Sequence, residues 1–277
     1  MNKTKIINES IDYIIQHLDE NISVEDVAKY FHYSKYYFCR VFKEITGESI
    51  YKFMKRLKMD QSAIDIKLER NKMITDIGLD YGYSSSNYSS AFKGHHHISP
   101  AGFRKSVDVA SVFNPFFPQK LEKFKTFYDY DKSITIQYIN DFFVIYERFI
   151  GNYVELKEKW YSFMDVYKTT MNKSTILIEK FYNDPKITGL NQCICDLCMT
   201  VDGIPETDNT AMIESGKFAV YRYDGKIQDI FRTLQGIFSV WLPDSGYEMN
   251  QRYGLNIYRQ IDKNNECVVM DLCIPIK

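Results

Sequence analysis

Along the first hundred positions, apolar residues recur at intervals of three and four, the spacing that gathers them on one face of a helix, and they do so twice. With the chain shifted 50 places, Val24, Asp26, Val27, Ala28, Phe31, Tyr33 and Ser34 fall on Ile74, Asp76, Ile77, Gly78, Tyr81, Tyr83 and Ser84 without a gap. Further on, Phe38, Val41, Phe42 and Lys43 fall on Tyr88, Ala91, Phe92 and Lys93. Each copy reads as a helix, a break at His32 or Gly82, and a second helix opened by Ser34 or Ser84. Serine suits that opening position because its hydroxyl can accept a bond from an unpaired amide in the first turn. Ala28 and Gly78 are small where the paired helices must approach closely. The pattern predicts a duplicated helix-turn-helix.

Subtracting the apolar face of each second helix leaves its outer face. In the first copy that face holds Lys35, Tyr36, Cys39, Arg40 and Lys43, beside Ser34. In the second it holds Ser85, Ser86, Asn87, Ser89, Ser90 and Lys93, beside Ser84. A helix that enters the DNA major groove needs hydrogen-bonding side chains near its N-terminal end and basic ones that reach phosphate. Arg40 is the expected bidentate partner of guanine, whereas the serines offer short hydroxyls that read bases ambiguously. Between the copies, Ile50, Phe53, Met54, Leu57, Ile64 and Leu68 predict a connecting helix over Ser49–Leu68. A helix of that length spans about 30 Å, close to one turn of B-DNA at about 34 Å. One chain is therefore expected to place two reading helices in successive grooves.

The periodicity changes beyond residue 107. Residues 108–131 hold two prolines, scattered aromatics and no sustained period, and read as a linker partly packed on one domain. From 132 to 277 strand-like runs alternate with helical ones, again in duplicate. Aligning Gly151 with Gly225 places Arg148 on Arg222 and Trp160 on Leu234. The expected fold is multidomain: an all-α domain over 1–107, then an α+β domain over 132–277 built from two strand-helix-strand-strand repeats.

Composition adds limits. The 277 residues carry a formal net charge of -1. Residues 1–108 hold 16 Lys and Arg against 14 Asp and Glu, together with all five histidines. No apolar run approaches the length of a membrane span and the N-terminus has no signal-peptide core, so a cytoplasmic protein without a membrane partner is expected. Six cysteines in a chain of this length suggest reduced thiols and no disulfide framework. Neither Cys193, Cys195 and Cys198, split between strand faces, nor His95, His96 and His97, pointing different ways from one helix, is expected to bind metal. The three histidines are expected to be solvated or close to phosphate. No cofactor is called for.

The stretches SVEDVAKYFHYSKYYFCRVFKEITG, KRLKMDQSAIDI and ITDIGLDYGYSSSNYSSAFKGHHHISPAGFRK resemble the DNA-binding domain of AraC/XylS-family transcription regulators. The resemblance implies double-stranded DNA as a partner, base contacts from the outer faces above, and RNA polymerase as a candidate second partner. Residues 132–277, through FIGNY, FYNDPKIT, CICDLCMTV, GKFAVYRYDG, VWLPDSGYE and DLCIPIK, resemble the GyrI-like effector-binding domain. Two facing units with an aromatic cleft for an amphipathic, aromatic or cationic small molecule are what that resemblance implies. Candidate lining residues are Tyr146, Trp160, Tyr182, Asp196, Tyr221, Trp241, Asn256 and Tyr258, with Trp160 and Trp241 as the large walls. The resemblance also implies a buried carboxylate where this chain has neutral Asn256, which leaves Asp196 or Glu147 to supply the charge. A ligand-responsive regulator without catalytic residues is expected; a small-molecule hydrolase or a drug-sequestering binder is the alternative.

Overall fold

A computed structural model describes every residue except 1, 21, 108–109, 115–119, 204–206, 251–252 and 263–265. The chain divides into two compact units, Met1–Val107 and Asp108–Lys277. The first is helical: α1 (Lys3–Gln16), α2 (Val24–Tyr30), α3 (Lys35–Thr46), α4 (Ile50–Leu68), α5 (Ile74–Asp80), α6 (Ser85–His96) and α7 (Pro100–Ser106).

Polar residues at the helix ends set these boundaries. Ser23 opens α2 with a capping box shared with Asp26, and Ser99 with Pro100 opens α7. Ser34 accepts a bond of 3.4 Å from the Tyr37 amide at the start of α3. Ser84 occupies the same position before α6, but its side chain makes no cap bond. The two breaks between paired helices need a left-handed residue. Gly82 supplies it at φ 78°, and His32 adopts φ 61° in the other copy. Glycine does so without steric cost, whereas a side chain at that φ is strained.

The duplicated core follows the predicted faces. Phe38, Val41 and Phe42 are buried on α3, and Tyr88 and Phe92 on α6. A Cβ added at Gly78 would sit 2.7 Å from Tyr88 Cγ, so only glycine lets α5 and α6 approach this closely. Helix α4 is the spine. Its Phe53 meets Phe42 of α3 edge to face at 5.1 Å, and its Asp65 accepts a hydrogen bond from the Tyr81 hydroxyl. Burial raises the Asp65 carboxyl to about 6 despite that bond. His95 and His96 also turn onto α4 and are only partly solvated, because the buried Asp60 and the Met59 carbonyl give them partners.

The second unit begins inside the segment read as a linker. β1 (Ser111–Phe113) pairs antiparallel with β2 (Leu121–Lys123), and α8 (Phe127–Asp131) follows. The prolines that mark this segment in the sequence, at 115 and 118, lie outside the described residues. Then come β3 (Ile134–Ile139), β4 (Phe142–Gly151), α9 (Leu156–Val166), β5 (Leu177–Phe181), α10 (Pro185–Thr188), β6 (Cys193–Thr200) and β7 (Thr210–Ile213). The last elements are β8 (Gly216–Lys226), α11 (Ile230–Gly236), which continues as one wide turn to Trp241, β9 (Gly254–Asp262) and β10 (Cys267–Pro275).

These strands form one sheet in the order β3-β8-β10-β9-β5-β6-β4-β7. The order is a palindrome of two repeats. β4-α9-β5-β6 and β8-α11-β9-β10 each fold into a three-stranded half, and the halves join where β5 pairs antiparallel with β9. The alignment of Arg148 with Arg222 has a physical basis. Arg148 lies across from Asp196 and bonds it at 2.7 and 2.8 Å, while Arg222 lies across from Asp271 and bonds it in turn. No helix among the described residues is long and apolar enough to cross a membrane.

Candidate functional sites

The first site is the outer surface of the two copies. Ser34, Lys35, Tyr36, Arg40 and Lys43 are exposed along one side of α3, with Cys39 half-buried among them. Tyr36 is 82% exposed, an unusual position for a large aromatic side chain. The Arg40 guanidinium lies 5.4 Å from the centre of the Tyr37 ring and the Lys35 ammonium 5.9 Å from that of Tyr51. These contacts partly orient both cations before any partner arrives. On α6, Ser84, Ser85, Ser86, Asn87, Ser89, Ser90 and Lys93 are all exposed. Short hydroxyls there allow close approach of another backbone but offer one cation where α3 offers three.

The second site lies where the two sheet repeats join. Cross-strand pairing sets a row of residues on the face covered by α9: Tyr221, Leu272, Asn256, Glu179, Leu197 and Glu147. Glu179 and Asn256 stand directly opposite each other at its centre. The Glu179 carboxylate accepts from the Tyr153 hydroxyl at 2.8 Å, the Tyr258 hydroxyl at 3.3 Å and the Asn256 amide at 3.4 Å. Trp160, on α9, meets the Tyr258 ring edge to face at 5.4 Å. Burial pushes the Glu179 carboxyl above its ordinary range, against the pull of these donors. Burial likewise raises the Tyr153 and Tyr258 hydroxyls far above theirs. The result is one buried carboxylate walled by aromatic rings, with no cationic side chain bonded to it among the described residues.

One buried polar atom beside it is open: Asn256 Oδ1 has no hydrogen-bond partner among the described residues, while the Trp160 indole N–H is turned toward the Glu179 carboxylate and the Tyr258 hydroxyl. An ionised Glu179 forces the amide of Asn256 to present its N–H, which turns Oδ1 away. Buried polar atoms are rarely left this way, and such exceptions ask for an explanation.

Of the residues proposed from sequence, Trp160, Asn256 and Tyr258 come together here. Tyr221 shares the row but donates no bond to Glu179; Lys125 bonds its hydroxyl at 2.9 Å. Tyr146, Tyr182 and Asp196 belong to the opposite face of the sheet, since Asp196 alternates with Leu197. Asp196 is no free anion either. Burial alone would raise its carboxyl, but Arg148, Lys180 and Tyr182 hold it below the usual range. Glu147 shares the row of Glu179 two strands away but is exposed, so water screens it. Trp241 is no wall of this site. It is 2% exposed, its indole N–H donates to Asp131 at 3.0 Å, and it stacks on Tyr247. The packing of α8 explains that role.

Sequence reasoning missed Glu179 and Tyr153. A trace was present in LIEKF, where a charged pair interrupts an apolar strand. At the fixed offset of the repeat alignment Glu179 falls on Tyr253, three places short of Asn256, so their equivalence shows only in the pairing of β5 with β9. The cysteines separate as expected. All six are free thiols, and Cys195 and Cys198 enter different cores on the two faces.

Residues 132–277 match the family model described as a GyrI-like small molecule binding domain. Residues 27–106 match a helix-turn-helix domain model, of AraC type. Among curated proteins, Right origin-binding protein of Escherichia coli K12 is 26% identical over 259 residues, 85% of each chain. Transcriptional regulator Rob of Salmonella typhimurium is 25% identical with the same coverage. Regulatory protein SoxS of Escherichia coli K12 is 29% identical over 105 residues, 38% of this chain and 97% of its own.

Proposed function

This chain belongs to the GyrI-like small molecule binding family, and from that premise we propose that it is a sequence-specific DNA-binding transcription regulator whose second unit binds a small organic cation. The observation that carries the ligand reading is Glu179. A carboxylate costs free energy to bury without a cation, and this one sits among Tyr153, Tyr258 and Trp160 with no basic side chain among the described residues bonded to it. A flat or amphipathic cation would bury its apolar surface on those rings and gain π-face attraction of about 0.5–2 kcal/mol at each favourable contact. The charge expected at position 256 is thus contributed from the neighbouring strand.

The DNA reading rests on the two matched outer faces. Arg40 and Tyr36 on α3 would supply most of the base discrimination, and the serines of α6 would allow close approach with lesser specificity. The names of the full-length relatives support this reading. RNA polymerase is included as the partner through which bound protein would alter transcription. Ligand control requires only that the cation bind two states of the protein unequally.

Selection from a pool of randomised duplexes tests the DNA half. The expected outcome is one enriched, asymmetric sequence bound by a single chain, with affinity falling steeply as salt rises. Enrichment of no sequence at any salt concentration would refute it. For the ligand half, quenching of tryptophan fluorescence by a cationic aromatic dye should be saturable in wild type and weakened at least tenfold in Glu179→Gln.

A further inference from the structure

In the helical unit, Asp60 of α4 faces His95 and His96 near the C-terminal end of α6, and one ligand atom from each lies within 4.8 Å of the others. Asp60 is 2% exposed. Its Oδ1 meets His95 Nε2 at 2.7 Å. Its Oδ2 is buried without a hydrogen bond, 3.9 Å from an Arg56 nitrogen. His96 Nε2 lies 3.1 Å from the Met59 carbonyl, and the two imidazoles approach edge to face at 4.5 Å. His97, third in the run, adopts a left-handed conformation that ends the helix and is exposed. Adjacent helical side chains ordinarily diverge; here the first two converge.

The geometry points to a divalent transition-metal site formed by Asp60, His95 and His96, which ties the C-terminal end of α6 to the middle of α4. Two imidazoles and a carboxylate are a donor set of borderline softness, suited to Zn²⁺ and Co²⁺ and poorly suited to Mg²⁺. Ligand atoms on one tetrahedral ion lie about 3–3.5 Å apart given metal–ligand distances near 2 Å, so modest rotamer changes close the site. Each imidazole must carry its proton on the nitrogen facing away, which breaks the bonds to Asp60 and Met59. The orphaned Asp60 Oδ2 gains a partner in return. Among the described residues Arg56 is the basic side chain paired with Asp60, and its guanidinium is already bonded to Glu48. Counting Glu48, Arg56 and Asp60 with neutral imidazoles, the surroundings carry one net negative charge, which favours a divalent ion. A clamp at this point would fix the second reading helix against the spine.

Equilibrium dialysis of the full chain, prepared without a polyhistidine tag and stripped with chelator, tests the site with Zn²⁺ alone. Wild type is expected to bind one equivalent that excess Mg²⁺ does not displace, and the Co²⁺ form should show the visible absorption of low-coordinate cobalt. His96→Phe keeps an aromatic ring against Phe92 and Phe103 and should weaken binding by about tenfold or more. His95→Gln, at a half-exposed position, should do the same and serves if His96→Phe perturbs folding. His97→Ala and Cys193→Ala should bind as wild type does. Absence of stoichiometric zinc in wild type would overturn the site. So would undiminished binding in both histidine variants, or a loss confined to the cysteine variant.

Discussion

Glu179 and Asn256 face each other across the one strand pair that joins the two halves of the sheet. They hold equivalent places in the two repeats, yet one is a carboxylate and the other a neutral amide bonded to it at 3.4 Å. The near-symmetry of the fold therefore ends at its centre, where a single buried charge replaces a pair. Two carboxylates at this separation could not both ionise cheaply. The asymmetry leaves Glu179 as the one carboxylate of the facing pair.

The pH dependence of ligand binding follows from the raised Glu179 carboxyl. A raised folded value favours the protonated form, so the stability this group contributes is greatest below the ordinary carboxyl range and is lost as pH rises through the folded value. A bound cation favours the ionised form and opposes that loss. Cation binding should strengthen as pH rises through this range and should release protons within it. Calorimetric titration in buffers of different ionisation enthalpy measures the release, which should vanish in Glu179→Gln.

Asn256 should discriminate between kinds of cation. Its buried Oδ1 lacks a donor, and a primary or secondary ammonium can supply one where a quaternary ion cannot. Asn256→Leu should cost the N–H-bearing ligand about 1–3 kcal/mol and leave a quaternary analogue nearly unaffected. Equal losses for both would remove the amide from the recognition scheme. Asn256→Glu should not raise cation affinity, because the new carboxylate faces Glu179 and one of the two must stay protonated.

In the helical unit α5 approaches α6 at Gly78, where a Cβ would meet the Tyr88 ring at 2.7 Å. Gly78→Ala should destabilise this unit by about 1–3 kcal/mol, since a fully buried ring has nowhere to move. Ala28→Gly, the reciprocal change in the other copy, should cost about 1 kcal/mol or less through backbone freedom alone. Urea unfolding followed by circular dichroism compares them.

The two reading faces should differ in energy. Arg40→Ala should weaken binding to the selected sequence by about 1–3 kcal/mol and relax specificity at one base pair. Ser86→Ala or Ser89→Ala should cost less, having neither charge nor reach. Anisotropy titrations with point-substituted duplexes separate these outcomes, and a larger loss from either serine would assign the main reading role to α6.

Much of this was legible in the sequence because it was written twice. Periodicity located α2 through α6, and the in-register repeat exposed both the turn at His32 and Gly82 and the close packing at Ala28 and Gly78. Repetition also revealed the Arg148 and Arg222 correspondence. What escaped depends on contacts between strands distant in sequence. Glu179 reaches the centre of its row only because β5 pairs with β9, and it is walled in only because α9 covers that face. Strand alternation sends Asp196 to the other side, where Arg148 neutralises it. Trp241 seemed a wall by size alone, whereas Asp131, in a segment without periodicity, is what anchors it. The convergence of His95 and His96 on Asp60 depends likewise on how α6 ends against α4.

A cation bound at Glu179 is proposed to change transcription at the DNA sites that this one chain occupies. The most direct measurement maps bound DNA across the genome and reads transcripts at the bound sites, with and without a lipophilic amine, for wild type and Glu179→Gln. Both proteins should occupy the same sites, with transcription there changing on addition of amine only in wild type. An equal response in both proteins, or none from wild type to any amine that binds it in vitro, would contradict the account.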